Sequence, residues 1–522
     1  MRRFSLILFF LSITFGNSLC RYLIITNEKF VDALKPLRDW KWKKGMGAEI
    51  FSVPANCSRE SIKAIVRRIK PEYLLLGGDK TYLPPGDSFY PFNQLLLGDN
   101  FYGDIEGDYR AEVAVGRLPF STLKECSTMV RKIITYERFP PRDDTLWYRS
   151  GALVFLWDYG GRPANPIYTE EFPYDAEMMG RRYRTLDTIF NDTLFGHKGY
   201  DDFRDIIKAL NRGVGMVLYR GHAAENWAYP FTVEPESESL KNNSKLPIII
   251  SGSCYTIFKG INPVGERWLR VSGGDSLKGA VAFFGTQLGG LFGRWRGRFV
   301  RTFLKSVFAE DFLILGKAFL RGKDSIASQP ISESNEIFYR EWSLLGDPEM
   351  NIWTEVPKIL SVSYQHLSNN QFLVLVRDRT TGRPVKEALV CLTSPLASDF
   401  YYVGYTNSGG EIKFTLNEIP SGGILVTVTK PNYLPYESPF LTICSNPIRD
   451  ETTITYQINK KGYVRLRVYD ITGRLVSRLF EGVKEAGFYQ LKWNGKNLPV
   501  GIYFLSFSTS NFSTTKKIIL TK

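Results

Sequence analysis

The feature that most constrains this chain is a rhythm. Short apolar runs alternate with amphipathic stretches from Tyr22 to Gly285. Tyr22–Thr26 reads as a strand, and Phe30, Ala33, Leu34 and Leu37 then recur at helical spacing until Gly45 marks the stop. Ala48–Val53 reads as a second strand. Ser58 caps a helix whose apolar face is Ile62, Ile65, Val66 and Ile69, and Tyr73–Leu76 is a third strand ending at Gly77-Gly78-Asp79. Strands separated by helices require parallel pairing through crossovers, hence a layered α/β fold. After an irregular acidic segment around Gly98–Tyr109 the pattern resumes: strand Val113–Val115, helix Leu123–Tyr136 and strand Ala152–Trp157. Asp201 is read as the cap of a helix carrying Phe203, Ile206, Ile207 and Leu210. Strands Val214–Tyr219, Pro247–Ser251 and Ala280–Gly285 follow. Residues 22–355 are therefore expected to form one α/β region with two side-by-side parallel sheets, divided into subdomains 21–144 and 145–355.

Beyond Pro357 the period drops to two. Phe372–Val376, Ala388–Leu392, Ile412–Phe414 and Ile424–Thr429 read as strands between Gly, Pro and Asn turns, so residues 357–441 form a small β-sandwich. Residues 444–522 form a second all-β module. Its clearest mark is Asp470-Ile-Thr-Gly473, a tight turn between strands Val464–Tyr469 and Leu475–Leu479.

Arg2 and Arg3 followed by the apolar run Leu6–Phe15, with small Gly16 and Ser18 before Leu19, make residues 1–20 an export signal. Cleavage after Cys20 is the alternative, and bulky Leu19 argues against a lipid anchor there. No later segment offers the ~18 uninterrupted apolar residues of a membrane span, so a soluble exported protein is expected. The net charge of +14 is spread along the chain without a long basic block. That argues against a nucleic-acid partner and fits anionic surroundings such as a bacterial surface. Hydrophobic content of 43% excludes wholesale disorder. The six cysteines lie far apart without a C-x-x-C pair, so neither a zinc knuckle nor a disulfide scaffold is indicated, and at least one thiol is expected free.

In parallel sheets, ligands gather beyond the carboxyl ends of strands. Val214–Tyr219 runs into Arg220-Gly221-His222-Ala223, and Pro247–Ser251 into Gly252-Ser253-Cys254-Tyr255. A cysteine must lose its proton to attack a carbonyl, and imidazole is the side chain suited to taking it at neutral pH. A lone buried cysteine is ordinarily a small hydrophobe, and a lone His beside Gly a turn residue. Both at consecutive strand ends, in a chain with three histidines, point to a Cys254/His222 dyad. His197 and His366, in polar loop-like contexts, are read as structural.

These words together resemble the gingipain family of cysteine peptidases, family C25 of the caspase-like clan. The resemblance rests on Tyr22-Leu-Ile-Ile-Thr26, Leu74-Leu-Leu-Gly-Gly-Asp79, Ala114-Val-Gly-Arg-Leu-Pro119, Gly221-His222, Ser253-Cys254, Gly279-Ala-Val-Ala282 and Leu345-Gly-Asp-Pro348 in the family's order. It implies a caspase-like αβα fold and a secreted endopeptidase acting through a thioester acyl-enzyme. Cys254 would be the nucleophile and His222 its proton partner, with the backbone N–H groups of Ala223 and Cys254 as oxyanion donors. Asp158 is the nearest counterpart of an acidic residue that supports the family's His. Glu170 or Glu171 would stand where arginine-specific members bind a basic side chain. The family usually has Gly after the His; Ala223 departs from that, and a left-handed backbone there would cost ~1 kcal/mol or more. Family members also bind calcium, for which Asp99, Asp104, Glu106 and Asp108 form a carboxylate-rich loop. A solvated acidic loop is the favoured reading of those four, and no cofactor is expected for the chemistry itself.

Asn446-Pro447, Tyr469-Asp470-Ile-Thr-Gly473, Gly487, Trp493-Asn494-Gly495, Gly501-Ile-Tyr503 and Lys516–Lys522 resemble the type IX secretion sorting domain. That implies outer-membrane secretion machinery as a partner and a secreted or cell-surface location; protein or peptide substrates and a monomer are expected. Residues 357–441 resemble the immunoglobulin-like domains that follow such peptidases. Strand Tyr22–Thr26 directly after the signal is expected to leave no room for the inhibitory propeptide of many relatives. Two alternatives follow: a sortase-like transpeptidase, against which the sorting-type terminus argues, and an inactive surface-binding homologue, motivated by Ala223 and the missing propeptide.

Overall fold

The computed structural model describes residues 20–521 apart from 157–170, 191–200, 261, 290–292, 329–332 and several short stretches beyond 367. The expected export signal up to Leu19, together with Asp158, Glu170 and His197, lies outside the described residues. Ten strands form one sheet: β1 (Tyr22–Asn27), β2 (Glu49–Val53), β3 (Tyr73–Gly77), β4 (Ala114–Leu118), β5 (Ser150–Phe155), β6 (Thr185–Phe190), β7 (Met216–Arg220), β8 (Ile248–Ser251), β9 (Ala282–Thr286) and β10 (Trp342–Leu345). Their order is β2-β1-β3-β4-β10-β9-β8-β7-β5-β6. The expectation of two side-by-side sheets is corrected here. Two parallel halves run in opposite directions and are fused, because β10 pairs parallel to β4 and antiparallel to β9.

The strands read as continuous apolar runs because both faces are covered. Tyr22, Ile24, Tyr73 and Leu75 enter one core, while Leu23, Ile25, Leu74 and Leu76 enter another. Such burial on alternate sides is what a helix-sandwiched parallel sheet demands. The helices that matter below are α1 (Val31–Lys41), α2 (Arg59–Ile69), α3 (Leu123–Arg138), α4 (Phe172–Gly180), α5 (Phe203–Arg212), α6 (Val264–Arg270) and α7 (Gly293–Phe308). Ser58 caps α2 by accepting from the Ser61 N–H, and Thr122 and Glu125 form a capping box on α3. Asp202, not Asp201, caps α5. The Asp201 carboxylate instead accepts from the Phe190 N–H at the end of β6.

The fusion seam explains two of the sequence words. Gly346 donates its N–H to the Arg117 carbonyl at 2.8 Å, and a Cβ on Gly116 would lie 2.2 Å from the Gly346 oxygen. Just beyond, Asp347 enters a fully buried charge cluster. Lys41 contacts Glu137 (2.7 Å), Asp347 (2.5 Å) and Glu349 (2.6 Å), while Lys44 bridges Glu137 and Glu349. Tyr22 donates its hydroxyl to Asp347 at 2.9 Å. Burial pushes the Glu137 carboxyl up, but Lys41 and Lys44 outweigh it and hold the group down at about 2. Burial raises Asp347 against the pull of Lys41. The cluster ties α1 to α3 and to the chain leaving β10.

Residues 358–437 form two four-stranded sheets around Val374, Val376, Val390, Leu392, Val426 and Val428. This module docks on the α/β region: Tyr401 accepts from the Gly47 N–H at 2.7 Å, and Arg138 grips Glu437 through two bonds. His366 stacks edge-on against Phe372. Residues 441–520 form a three-stranded and a four-stranded sheet around Ile454, Val464, Leu466, Leu505 and Ile518. The Asp470 carboxylate accepts from the Thr472 and Arg474 N–H groups, and Gly473 takes a positive φ of 83°, as the expected turn requires. Among the described residues no helix is long and apolar enough to cross a membrane.

Candidate active site

β7 and β8 are direct parallel neighbours, with Tyr219 the register partner of Ser251. Each apolar strand ends within three residues of a reactive side chain, so the loops bearing His222 and Cys254 leave the sheet side by side. Backbone bonds clamp them: the Glu225 N–H donates to the Tyr255 carbonyl at 3.2 Å, and the Val264 N–H at the start of α6 donates to the Glu225 carbonyl. Glu225 and Tyr255 hold positive φ values of 71° and 56°. Left-handed backbone on non-glycine residues costs about 1–3 kcal/mol and persists where its surroundings enforce it.

The His222 loop is anchored through its own carbonyl, which accepts from the Tyr219 hydroxyl (2.7 Å) and the Ala228 N–H (3.0 Å). The His222 residue itself is exposed. Ala223–Ala224 pair antiparallel with Asn226–Trp227, a two-residue ladder. Ala223 is thus in extended backbone rather than left-handed, and the positive φ falls on Glu225. The penalty expected for alanine at 223 does not arise.

Trp227 stacks on Tyr219 with centroids 4.3 Å apart and donates its indole N–H to Ser251. Ser251 and Ser253 share a hydrogen bond, and Thr286 at the end of β9 donates to the Ser253 carbonyl at 2.6 Å. Cys254 therefore follows a residue fixed from both sides, and its side chain is half-buried. All five described cysteines are free thiols. Burial pushes Cys126 up to about 12 and Cys391 higher still, which makes both poor nucleophiles.

Buried charges support the rim. Arg220 donates to the Gly252 carbonyl at 2.9 Å and pairs with Glu171 at 2.6 Å. Glu171, expected as an acceptor for a substrate cation, is buried with its carboxylate occupied by Arg220, and Arg301 lies 3.9 Å away. It is not available in that role. Asp175 on α4 is buried beside this pair, and among the described residues neither carboxylate oxygen has a hydrogen-bond partner. Burial drives its carboxyl well above the usual range, against the pull of Arg220. On the other side of the thiol, Arg296 of α7 donates to Cys254 Sγ at 3.4 Å while Glu341 binds its far edge.

The carboxylates expected for calcium are turned to other donors. Asp99 forms a two-bond pair with buried Arg117. Asp104 accepts from the Gly107 N–H through its side chain and from Lys63 through its carbonyl. Asp108 accepts from the Arg110 N–H, and Glu106 is exposed. These four do not converge into the oxygen cage calcium needs. Among the described residues the grouped carboxylates are Glu137, Asp347 and Glu349, and two lysine ammoniums already occupy them.

The sequence profile of peptidase family C25 matches residues 17–353, well over half of the chain. The chain belongs to peptidase family C25. Gingipain R2 of Porphyromonas gingivalis is 24% identical over 364 residues, covering 66% of this chain and 47% of that protein. Lys-gingipain of the same organism is 26% identical over 285 residues, 52% of this chain and 16% of the relative. The chain thus spans less than half the length of these curated relatives. A crystal structure of the Arg-specific cysteine proteinase gingipain R superposes with a TM-score of 0.68 at 19% identity, covering 81% of this chain and 98% of that one. That likeness establishes the caspase-like α/β fold followed by β modules in this C25 chain. Residues 443–521 match the secretion system C-terminal sorting domain, which marks the C25 chain as a secreted or cell-surface protein. Cysteine peptidases of this family need no cofactor for catalysis.

Sequence reasoning found the two strand-end loops and missed their support. Arg220, directly before Gly221-His222, carried a detectable signal: a charge ending a wholly apolar strand must be paired. Arg296 and Glu341 carried none, since only the fold brings α7 and the start of β10 to the Cys254 loop.

Proposed function

We propose that this chain is a cysteine endopeptidase whose nucleophile is Cys254 and whose proton-transfer partner is His222. The observation that carries this reading is the pairing of β7 with β8, with the two loops clamped at Glu225 and Tyr255. The Cys254 thiolate adds to the scissile carbonyl carbon, and the oxygen gains negative charge held by the N–H groups of Ala223 and Cys254. The C–N bond breaks as the His222 imidazolium gives its proton to the leaving amine, leaving a thioester. Water then adds to the thioester, passing a proton to His222; the carboxylic product departs and the thiolate is restored. Asp158 is the proposed carboxylate partner of the imidazole. Substrates are proteins or peptides, and the sorting domain engages outer-membrane secretion machinery.

The test is cleavage of a peptide library by the full chain under reducing conditions, beside the Cys254→Ala and His222→Ala variants. Both variants are expected to lose cleavage by at least about a thousandfold, as removal of a nucleophile or its base does in hydrolytic dyads and triads. Cleavage that survives Cys254→Ala refutes the assignment.

A further inference from the structure

The neighbour of the candidate nucleophile that the sequence did not reveal is a cation. Arg296 is buried, 3% exposed, on the inner face of α7. Three of its edges are committed: Nε and Nη2 donate to Glu341 at 3.3 and 2.9 Å, Nη2 also donates to the Leu288 carbonyl at 2.7 Å, and Nη1 donates to Cys254 Sγ at 3.4 Å. Glu341 is fully buried immediately before β10. The guanidinium is therefore fixed as a fork, with two sides pinned and the third aimed at sulfur.

We propose that Arg296 is the residue that holds Cys254 as a thiolate, so that His222 serves chiefly as the acid that protonates the leaving amine. This rests on the peptidase reading above and deepens it. A planar guanidinium stays charged at every physiological pH and offers fixed donors, whereas an imidazole loses its charge near neutrality. A thiolate held by arginine persists in the pH range where a His-dependent ion pair fades.

The other charges facing the thiol fit this division. Arg220 reaches toward the Cys254 loop from β7 and is neutralised by Glu171; Lys259 on the loop itself lies over the Tyr255 ring. His222 stands on the adjoining loop. Glu341, behind Arg296, competes with the thiolate for the same cation. Burial raises the Glu341 carboxyl despite Arg296, which softens that competition as pH falls.

The test measures alkylation of Cys254 by neutral iodoacetamide across pH, in the full chain with the other cysteines accounted for by peptide mapping. A guanidinium N–H donated to sulfur at 3.4 Å favours the charged form of that sulfur. Arg296→Gln is therefore expected to slow alkylation at pH 6 by tenfold or more and to displace the profile to higher pH. Arg296→Lys, which keeps the charge, should restore much of the rate, and His222→Ala should leave it within about threefold while abolishing cleavage. Should Arg296→Gln fail to fold, Glu341→Gln is the second variant, and freeing the cation from its competitor should displace the alkylation profile to lower pH. An unchanged profile in Arg296→Gln or Glu341→Gln overturns the proposal, as does an alkylation loss in His222→Ala matching that of Arg296→Gln. Because alkylation is read independently of proteolysis, retention of cleavage by Cys254→Ala would instead remove the peptidase reading beneath it.

Discussion

Replacing Lys41 by methionine tests how the α/β region is held together. The substitution keeps the stem and removes an ammonium with no exposed side-chain surface, bonded to Glu137, Asp347 and Glu349 at 2.5–2.7 Å. Among the described residues Lys44 would be the cation left to the three buried carboxylates, and its contacts are with Glu137 and Glu349. Removing one member of a buried ionic network costs about 3–5 kcal/mol, since the partners left behind cannot be solvated. A second route gives a similar size. Glu137 held at about 2, against about 4.3 when unfolded, is worth roughly 3 kcal/mol at neutral pH, and the raised Asp347 offsets part of that. A loss of roughly 3 kcal/mol corresponds to about 4 °C in a region this large. In the parent, Glu137 contributes stability above the unfolded carboxyl range, lost as pH falls toward 2. In the variant the carboxylates retain protons more readily than the unfolded chain, so its deficit is greatest at pH 7 and shrinks toward pH 4. Thermal melts of both proteins at pH 4 and pH 7 measure this. A neutral-pH deficit under about 1 kcal/mol, or one equal at both pH values, would refute the reasoning.

Two further outcomes are expected. Asp175 is buried, with both oxygens unbonded among the described residues, and its carboxyl is raised by burial; the folded state keeps a proton that the unfolded state releases near pH 4, so this group lowers stability as pH rises above that point. Asp175→Asn should abolish that decline and raise the melting temperature at pH 7, whereas an unchanged pH–stability curve would show that the carboxyl is solvated. Gly116→Ala drives a methyl into the Gly346 carbonyl across the seam and should cost about 1–3 kcal/mol by strain in a packed core; a melt within about 1 °C of the parent would refute this.

Eight of the ten sheet strands were readable to within two or three residues because a doubly covered sheet leaves its mark as unbroken apolar runs, as in Ile248-Ile-Ile, whereas Thr185–Phe190 and Trp342–Leu345 were not read as strands. Their assembly was not. Nothing in Trp342-Ser-Leu-Leu345 says that it lies parallel to β4 and antiparallel to β9, so one sheet was taken for two. The same limit held at the site. His222 and Cys254 announced themselves by following apolar strands, but Arg296, Glu341 and the Arg220–Glu171 pair are joined by tertiary contact alone. Glu171 was misjudged because an acidic residue in sequence shows its charge and not its partner. The cap of α5 slipped by one because Asp201 and Asp202 are chemically alike, and only the bond to the Phe190 N–H tells them apart.

The position of β10 has a consequence for biogenesis. As the keystone between two half-sheets, this strand is among the last pieces of the α/β region to emerge during synthesis. Until it arrives, β4 and β9 each present a bare edge of unpaired amides and carbonyls, and such edges recruit other chains. A chain cut short ahead of Trp342 would carry two sticky borders at once.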